Sequence, residues 1–426
     1  MKNLCARYCK KYTFFLLLVS IYLVSCTDNK KPEQYPMIDI INNLGNYQRV
    51  YCSDIFSSLE LVPLETKDEC FADMNLSSML ILNDSIILMR GHRSDALYAF
   101  DRTGKFINEI GRKGQGPQEY LLMFEVCFNT DKSTIYIFDY LKLLEYNYNG
   151  TFIRSYQRKM LGNEFISHIS YIRDGLFIGS VHYDGKNRFK YCIFNQNGDT
   201  IKTFPNYIFF NRAGNSSGTH DSAFNPIHAD NRVYLKDYIN DTIYTLNDLN
   251  LEPAYVFNFS KYSFSKERLE RSNPQVVIPK TDIILHNFTG FPNYFFYSIG
   301  CPESFSWPEA KPEYDHLSKK YVLAPNWAYG LYNISENKNI LLDTDQHLQR
   351  GIINDINGGF PFVPRYYVGN NEVADVWFPF EMKEIFTDEY FASQTIKDQQ
   401  GYKKLRELLK NMEDDDNPVV VIAKLK

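Results

Sequence analysis

The sequence has 426 residues, 44% of them hydrophobic and 16% aromatic, with 46 basic against 51 acidic side chains and a formal net charge of -5. The first 25 residues hold four basic and no acidic side chains, so the remainder has 42 basic against 51 acidic, a charge of -9. An acidic body argues against duplex nucleic acid as a partner, because phosphate binding needs a basic footprint.

Taken in chain order, Lys2, Arg7, Lys10 and Lys11 precede an apolar run from Tyr12 to Val24, which is followed by Ser25 and Cys26. The run is shorter than the roughly 20 residues that a membrane-spanning helix needs, and it reads as a secretory signal. Leu23-Val24-Ser25-Cys26 resembles a bacterial lipobox. That resemblance implies a leader over residues 1–25, a lipid attached at Cys26, and a place in the cell envelope on the outer membrane, with its periplasmic and surface faces both open. Residues 26–45, which include the polar "TDNKKPEQYP", read as a tether to the membrane. Residues 46–426 contain no linker, low-complexity tract or shift of composition and read as one domain.

Within that domain a unit recurs: an apolar run, a turn with glycine, and a second apolar run. "ALYAFDRTGKFINEI" turns at Gly104, "KLLEYNYNGTFIRSY" at Gly150 and "KYCIFNQNGDTIKTF" at Gly198. Before each comes another strand pair, with hairpin turns expected at Asn83-Asp84, Thr130-Asp131-Lys132 and Arg173-Asp174-Gly175. Four short strands per repeat, at a period of just under 50 residues, are the signature of a β-propeller blade. Fainter units follow in "RVYLKDYINDTIYTLNDLNLEPAYVFNF", in "YFFYSIG", "KYVLAPN" and "WAYGLYNISENKNILL", and in "YYVGNNEVADVWFP" with "NPVVVIAKLK". The fold class is therefore all-β, a six-bladed propeller with four-stranded blades. Tyr402, Leu405, Leu409 and Met412 recur at helical spacing and predict a short amphipathic helix before the closing strand. A ring leaves an open seam unless the chain ends share a blade, so Val419–Leu425 is expected beside an N-terminal strand such as residues 58–65.

"GRKGQGPQEY", Gly111 to Tyr120, raises the question of a phosphate cradle. A dinucleotide fingerprint needs its glycines between a strand and a helix, whereas here β character follows. The loop reads as the crossing from one blade to the next, with Pro117 stiffening it. Together with "TIYIFD", "LLEYNYNGTFIRSY", "LELVPLET", "NDINGGFPFVP" and "DDNPVVVIAKLK", this loop resembles the six-bladed β-propeller lipoproteins of Bacteroidetes, with NHL-like repeats. The resemblance covers most of the chain and implies fold and location without naming an activity. By it, Asp139 corresponds to an aspartate that ends a strand of NHL-type blades, and is expected to hydrogen-bond a turn.

Candidates for chemistry are sparse. His182, His220, His228 and His286, with Asp184, Asp221 and Asp230 nearby, form no metal-binding spacing, and no nucleophile elbow is present. Cys52, Cys70, Cys127, Cys192 and Cys301 are widely spaced and read as core residues, with a Cys52–Cys70 disulfide as the alternative. No cofactor, metal or catalytic residue is nominated. The ligand-binding candidates are Arg112 and Lys113 on the crossing loop, and Trp307 and Trp327 in irregular segments of the fifth blade, where a ring could stack on a sugar. Trp377 reads as core. The expected function is a non-catalytic binding or scaffold module for a peptide, glycan or envelope protein; a hydrolase or lyase is the alternative.

Overall fold

The computed structural model describes residues 35–71, 80–91, 96–129, 132–139, 142–157, 166–182, 185–211, 227–229, 232–237, 240–264, 270, 281–300, 302–315, 320–323 and 326–426. The chain divides into two units, Met1–Pro36 and Met37–Lys426, and every strand of the propeller belongs to the second. Cys26 lies outside the described residues.

The second unit begins with two short strands, β1 (Met37–Asp39) and β2 (Tyr47–Gln48), a four-residue helix α1 (Cys52–Ile55) and β3 (Phe56–Pro63). Six blades are then laid down in order. The first holds β4 (Leu80–Leu82), β5 (Ile86–Arg90), β6 (Leu97–Asp101) and β7 (Phe106–Glu109). The second holds β8 (Met123–Asn129), β9 (Thr134–Asp139), β10 (Lys142–Asn147) and β11 (Phe152–Gln157). β12 (Ile166–Arg173), β13 (Leu176–Val181), β14 (Phe189–Asn195) and β15 (Thr200–Pro205) form the third. β16 (Ile227–Ala229), β17 (Arg232–Lys236), β18 (Thr242–Asn247) and β19 (Asn250–Asn258) form the fourth. The fifth is built from β20 (Ile284–Phe291), β21 (Tyr294–Gly300), β24 (Trp327–Asn333) and β25 (Lys338–Leu342), with a separate hairpin, β22 (Glu313–Asp315) and β23 (Lys320–Val322), between β21 and β24. The sixth combines β26 (Tyr366–Gly369), β27 (Glu372–Trp377) and the last strand, β28 (Val419–Leu425), with β3 as its outer strand.

The runs of alternating large residues explain why these segments become blade strands rather than the half-solvated strands of a single sheet. In β9, Ile135 and Ile137 enter the core shared with the first blade, while Tyr136 and Phe138 enter the core shared with the third. Side chains of a strand alternate between faces, so a strand packed between two neighbouring blades must be apolar at every position. The six large cores are six such interfaces, running from the first and second blades round to the sixth and first. The ring is closed.

Closure uses both chain ends, as the sequence predicts. β28 lies between β27 and β3, antiparallel to each, with Val421 opposite both Asp375 and Leu61. The N-terminal arm adds a feature with no local signature. β1, from the stretch that reads as tether, runs parallel to β19 on the fourth blade, and β2 runs parallel to β25 on the fifth. Asn339 Nδ2 donates to Asp39 O at 2.8 Å, and Tyr47 Oη donates to Ser306 O at 2.8 Å. The arm is then fastened at Ser53, whose N–H and hydroxyl both donate to Asp355 at 2.9 and 2.6 Å, while Lys397 Nζ pairs with the same carboxylate at 2.7 Å. Burial would raise the Asp355 carboxyl, but the hydrogen bonds from Lys397 and Ser53 outweigh it and hold the group below its ordinary value.

Two sequence expectations need adjustment. "KYVLAPN" is not a strand of the fifth blade: Tyr294–Gly300 pairs directly with Trp327–Asn333, and Lys320–Val322 belongs to the outlying hairpin. Cys52 and Cys70 lie in different cores, Cys52 between the fifth and sixth blades and Cys70 between the sixth and first. Cys52, Cys70, Cys127 and Cys192 are buried thiols, and Cys301 lies outside the described residues. Between β27 and β28 the chain forms three helices: α2 (Pro379–Ile385), α3 (Asp388–Ala392) and α4 (Gln399–Asn411). The last is the helix expected from the spacing of Tyr402, Leu405 and Leu409, with Leu405 wholly buried against the core of the fifth and sixth blades. Among the described residues no helix is long and apolar enough to cross a membrane.

Candidate functional site

In an antiparallel four-stranded blade, the crossover into the first strand and the link from second to third strand emerge on the same face. Among the described residues that face holds the Gly111–Tyr120 crossing, residues 302–315 and 320–323 within the fifth blade, residues 343–365 from the fifth blade to the sixth, and the helical segment within the sixth.

At Gly111–Tyr120 the amides are spent internally, as a turn requires and a phosphate cradle forbids. Gly114 N–H donates to Tyr120 O, Tyr120 N–H to Arg112 O and Gly116 N–H to the Glu119 carboxylate. Gly111 has φ +65°, and a Cβ there would fall 2.7 Å from Tyr146 Oη. Asp139 is wholly buried and accepts from the N–H groups of Leu121 and Leu122 at 3.1 and 2.8 Å, the turn-binding role that the resemblance implies.

A pocket of about 620 Å³ opens on this face between the fifth and sixth blades. Its volume lies within the roughly 300–1,000 Å³ usual for small-ligand sites. The floor is an ion pair: Arg365 Nε donates to Asp375 Oδ1 at 2.8 Å, and Asp375 also accepts from Val363 N–H at 3.0 Å and Val376 N–H at 2.9 Å. Burial pushes the Asp375 carboxyl up, while the facing charge of Asp375 overcomes burial at Arg365 and holds its guanidinium above its ordinary value.

One wall carries Arg350, which donates to Glu313 Oε1 at 2.8 Å and lies 4.1 Å above the Trp327 ring. Beside it, burial pushes the Tyr329 hydroxyl up to about 12. The opposite wall is aromatic. Trp377 and Phe360 meet edge-on at 5.5 Å, and Tyr390 donates to Gly359 O at 3.1 Å. Over the mouth, Tyr314 packs edge-on against Tyr321 and Phe380, and Tyr321 Oη donates to Glu384 Oε2 at 2.6 Å.

One contact has the outline of a nucleophile and its base: His347 Nε2 lies 2.8 Å from Ser393 Oγ. The serine hydroxyl, however, donates to Tyr390 O at 2.7 Å. With its only proton placed there, Ser393 accepts from the imidazole N–H and acts as the end-cap of α3. A second buried ionisable group lies at the end of β17, where the Lys236 ammonium sits over the Phe257 ring and burial pushes it down to about 7. Lys236 is 2% exposed and donates to the carbonyls of Asp237 and Asn240, which leaves no approach for a carbonyl substrate. Among the described residues no group of three or more His, Cys, Asp or Glu side chains is placed to hold a metal ion.

The residues singled out by sequence are not gathered at the pocket. Arg112 and Lys113 are exposed, on the same face but on the crossover from the first blade to the second. Trp307 is half-buried against the core of the fourth and fifth blades, its Nε1 donating to Pro302 O at 2.9 Å. Trp327 stands behind the wall, one face covered by Arg350 and its edge on Tyr329 at 4.9 Å. His182 is half-buried after β13 and His286 is exposed on β20. His220, Asp184, Asp221 and Asp230, and the side chain of His228, lie outside the described residues. Trp377 is core, as expected, at 3% exposed, and it also lines the pocket. Sequence reasoning missed Arg350, Arg365, Asp375 and Tyr390; the "NDINGGFPFVP" segment was the available signal for this region.

Residues 35–424 match a family described as a domain of unknown function, DUF4934. The chain belongs to that family. No curated protein matches it. Among solved structures, this DUF4934 chain is similar to a protein of Bacteroides fragilis described as exported, at 18% identity and TM-score 0.62, covering 92% of this chain and 99% of the other. A DUF4221 member from Bacteroides vulgatus aligns at 11% identity and TM-score 0.45, over 87% of this chain and 97% of its own. At 18% identity the likeness to the Bacteroides fragilis protein shows the fold alone.

Proposed function

We propose that the mature protein is an envelope lipoprotein, tethered to the outer membrane through Cys26, whose NHL-like propeller is a non-catalytic binding module for a peptide, glycan or envelope protein. The observation that carries this reading is the pocket between the fifth and sixth blades. It is large, walled by aromatic rings, and its charged groups are already held by one another through the Arg365–Asp375 and Arg350–Glu313 pairs. Such preformed walls favour binding without rearrangement. The lipobox-like leader and a structural neighbour described as exported support the location.

The test of binding uses the full chain, purified in detergent, on an array of peptides and oligosaccharides. Saturable binding without turnover is expected, and Ile385→Trp, which fills the pocket from α2, should reduce it at least about tenfold with an unchanged melting temperature. Turnover of a bound ligand would favour the hydrolase or lyase alternative. For the anchor, metabolic labelling with a fatty acid should mark the wild type and leave Cys26→Ser unlabelled; equal labelling would refute attachment at Cys26. Protease shaving of intact cells then distinguishes the surface face from the periplasmic one.

A further inference from the structure

We propose that the pocket takes a peptide segment bearing a lysine or arginine, with the cationic head at its mouth and the backbone along its aromatic wall. This rests on the reading of the pocket as the binding site. The first observation is charge. Five acidic side chains line the pocket, Glu313, Asp375, Glu381, Glu384 and Glu389, against three basic ones, Lys311, Arg350 and Arg365. Two of the basic groups are held by Glu313 and Asp375 in the wall and floor, which leaves Glu381, Glu384 and Glu389 against Lys311, so the carboxylates are in excess at the mouth. Glu384 and Glu389 are exposed there. Glu384 accepts from Tyr321, a donor that brings no positive charge of its own. The negative mouth would attract a cation and repel a carboxylate or phosphate.

Beside these carboxylates, the Tyr314 and Tyr321 rings meet at 5.3 Å and 73°, and Tyr321 is 45% exposed. Aromatic faces next to carboxylates suit an ammonium or guanidinium head, because the ring quadrupole and the anion both favour positive charge. Deeper in, Trp377 lines the pocket and meets Phe360 edge-on at 5.5 Å, giving a flat apolar wall beside the charged mouth. A basic peptide suits both surfaces in one ligand: the cation at the carboxylate-lined mouth and the backbone along the aromatic wall.

Fluorescein-labelled, capped hexapeptides that differ only at one central position test this by anisotropy with the full chain in detergent. The lysine peptide should bind about tenfold more tightly than its Nε-acetyl-lysine or glutamate counterparts, and its advantage should shrink as salt is raised. Glu384→Gln combined with Glu389→Gln should remove most of that advantage at unchanged melting temperature. Trp377→Phe should weaken lysine and acetyl-lysine peptides alike. Equal affinity for the lysine and acetyl-lysine peptides, or preference for glutamate, would overturn the inference. Binding of maltohexaose but of no peptide, abolished by Ile385→Trp, would overturn it and leave the binding reading intact. Peptide binding that ignores Ile385→Trp would overturn both. Lysine-selective binding followed by cleavage would support the basic-segment inference and overturn only the non-catalytic reading.

Discussion

Removal of residues 417–426 should leave no folded monomer. Val419, Val420, Val421 and Ile422 are each at most 2% exposed. At roughly 1.5–3 kcal/mol for each such side chain, their burial contributes about 6–12 kcal/mol, comparable with the whole stability of an ordinary domain, about 5–15 kcal/mol. The strand is also central to its blade. Without it, β27 loses the partner of its outer edge and β3 has nothing to pair with. Alternate residues serve different interfaces: Val419, Val421 and Ala423 pack toward the fifth blade, Val420 and Ile422 toward the first. Both seams of the sixth blade would therefore open at once, exposing apolar surface and a bare strand edge, the conditions for aggregation. Size exclusion and thermal melting check this; a soluble monomer melting within a few degrees of the wild type would contradict it.

The same comparison of local and distant pairing explains how much of the fold could be read from sequence. Gly104, Gly150 and Gly198 stand out because each occupies the turn between the third and fourth strands of a blade at φ +87°, +84° and +78°, a region that glycine enters at little cost. The fourth and fifth blades make the corresponding turns with Asp248 and Leu249, at φ +43° and +62°, and with Asn337, at φ +50°. The geometry persists while the residue that advertises it is gone, so the repeat fades. β28 was legible because a closed ring demands a shared blade. β1 and β2 were not: they pair in parallel with strands some two to three hundred residues later, and no local period encodes that.

The pocket was illegible for a related reason. Its Arg350, Arg365, Asp375 and Glu384 come from a crossover, a strand and a helix, and acquire meaning only through the contacts they make. Beyond the "NDINGGFPFVP" segment only Trp377 stood out, and its pattern in "ADVWFPF" announced only burial. The exposed charges of Arg112 and Lys113 were visible in the sequence because they follow a glycine in a turn, but a turn can be conspicuous without being near a cavity.

Breaking the floor of that pocket should be costly, and unequally so from its two sides. Asp375 is 3% exposed in its side chain and Arg365 31%. Arg365→Met strands a buried carboxylate, for which a loss of about 3–5 kcal/mol is expected. Asp375→Asn leaves a guanidinium that water can still reach from the pocket, and should cost less, about 2–3 kcal/mol, part of it from weakened acceptance of the Val363 and Val376 N–H groups. The double variant should lose less than the sum, with a coupling of about 1–3 kcal/mol in a double-mutant cycle. The pH dependence separates these cases. Burial already raises the Asp375 carboxyl above 3.8, and removing Arg365 takes away the charge that opposes this. In Arg365→Met the folded state then holds its proton to higher pH than the unfolded state does. Stability relative to wild type should consequently fall as pH rises above the ordinary carboxylate range, and recover toward the acid end. Urea titrations at a series of pH values read this directly. A deficit independent of pH, or single variants each within about 0.5 kcal/mol of wild type, would show that the pair does not hold the crossover into the sixth blade.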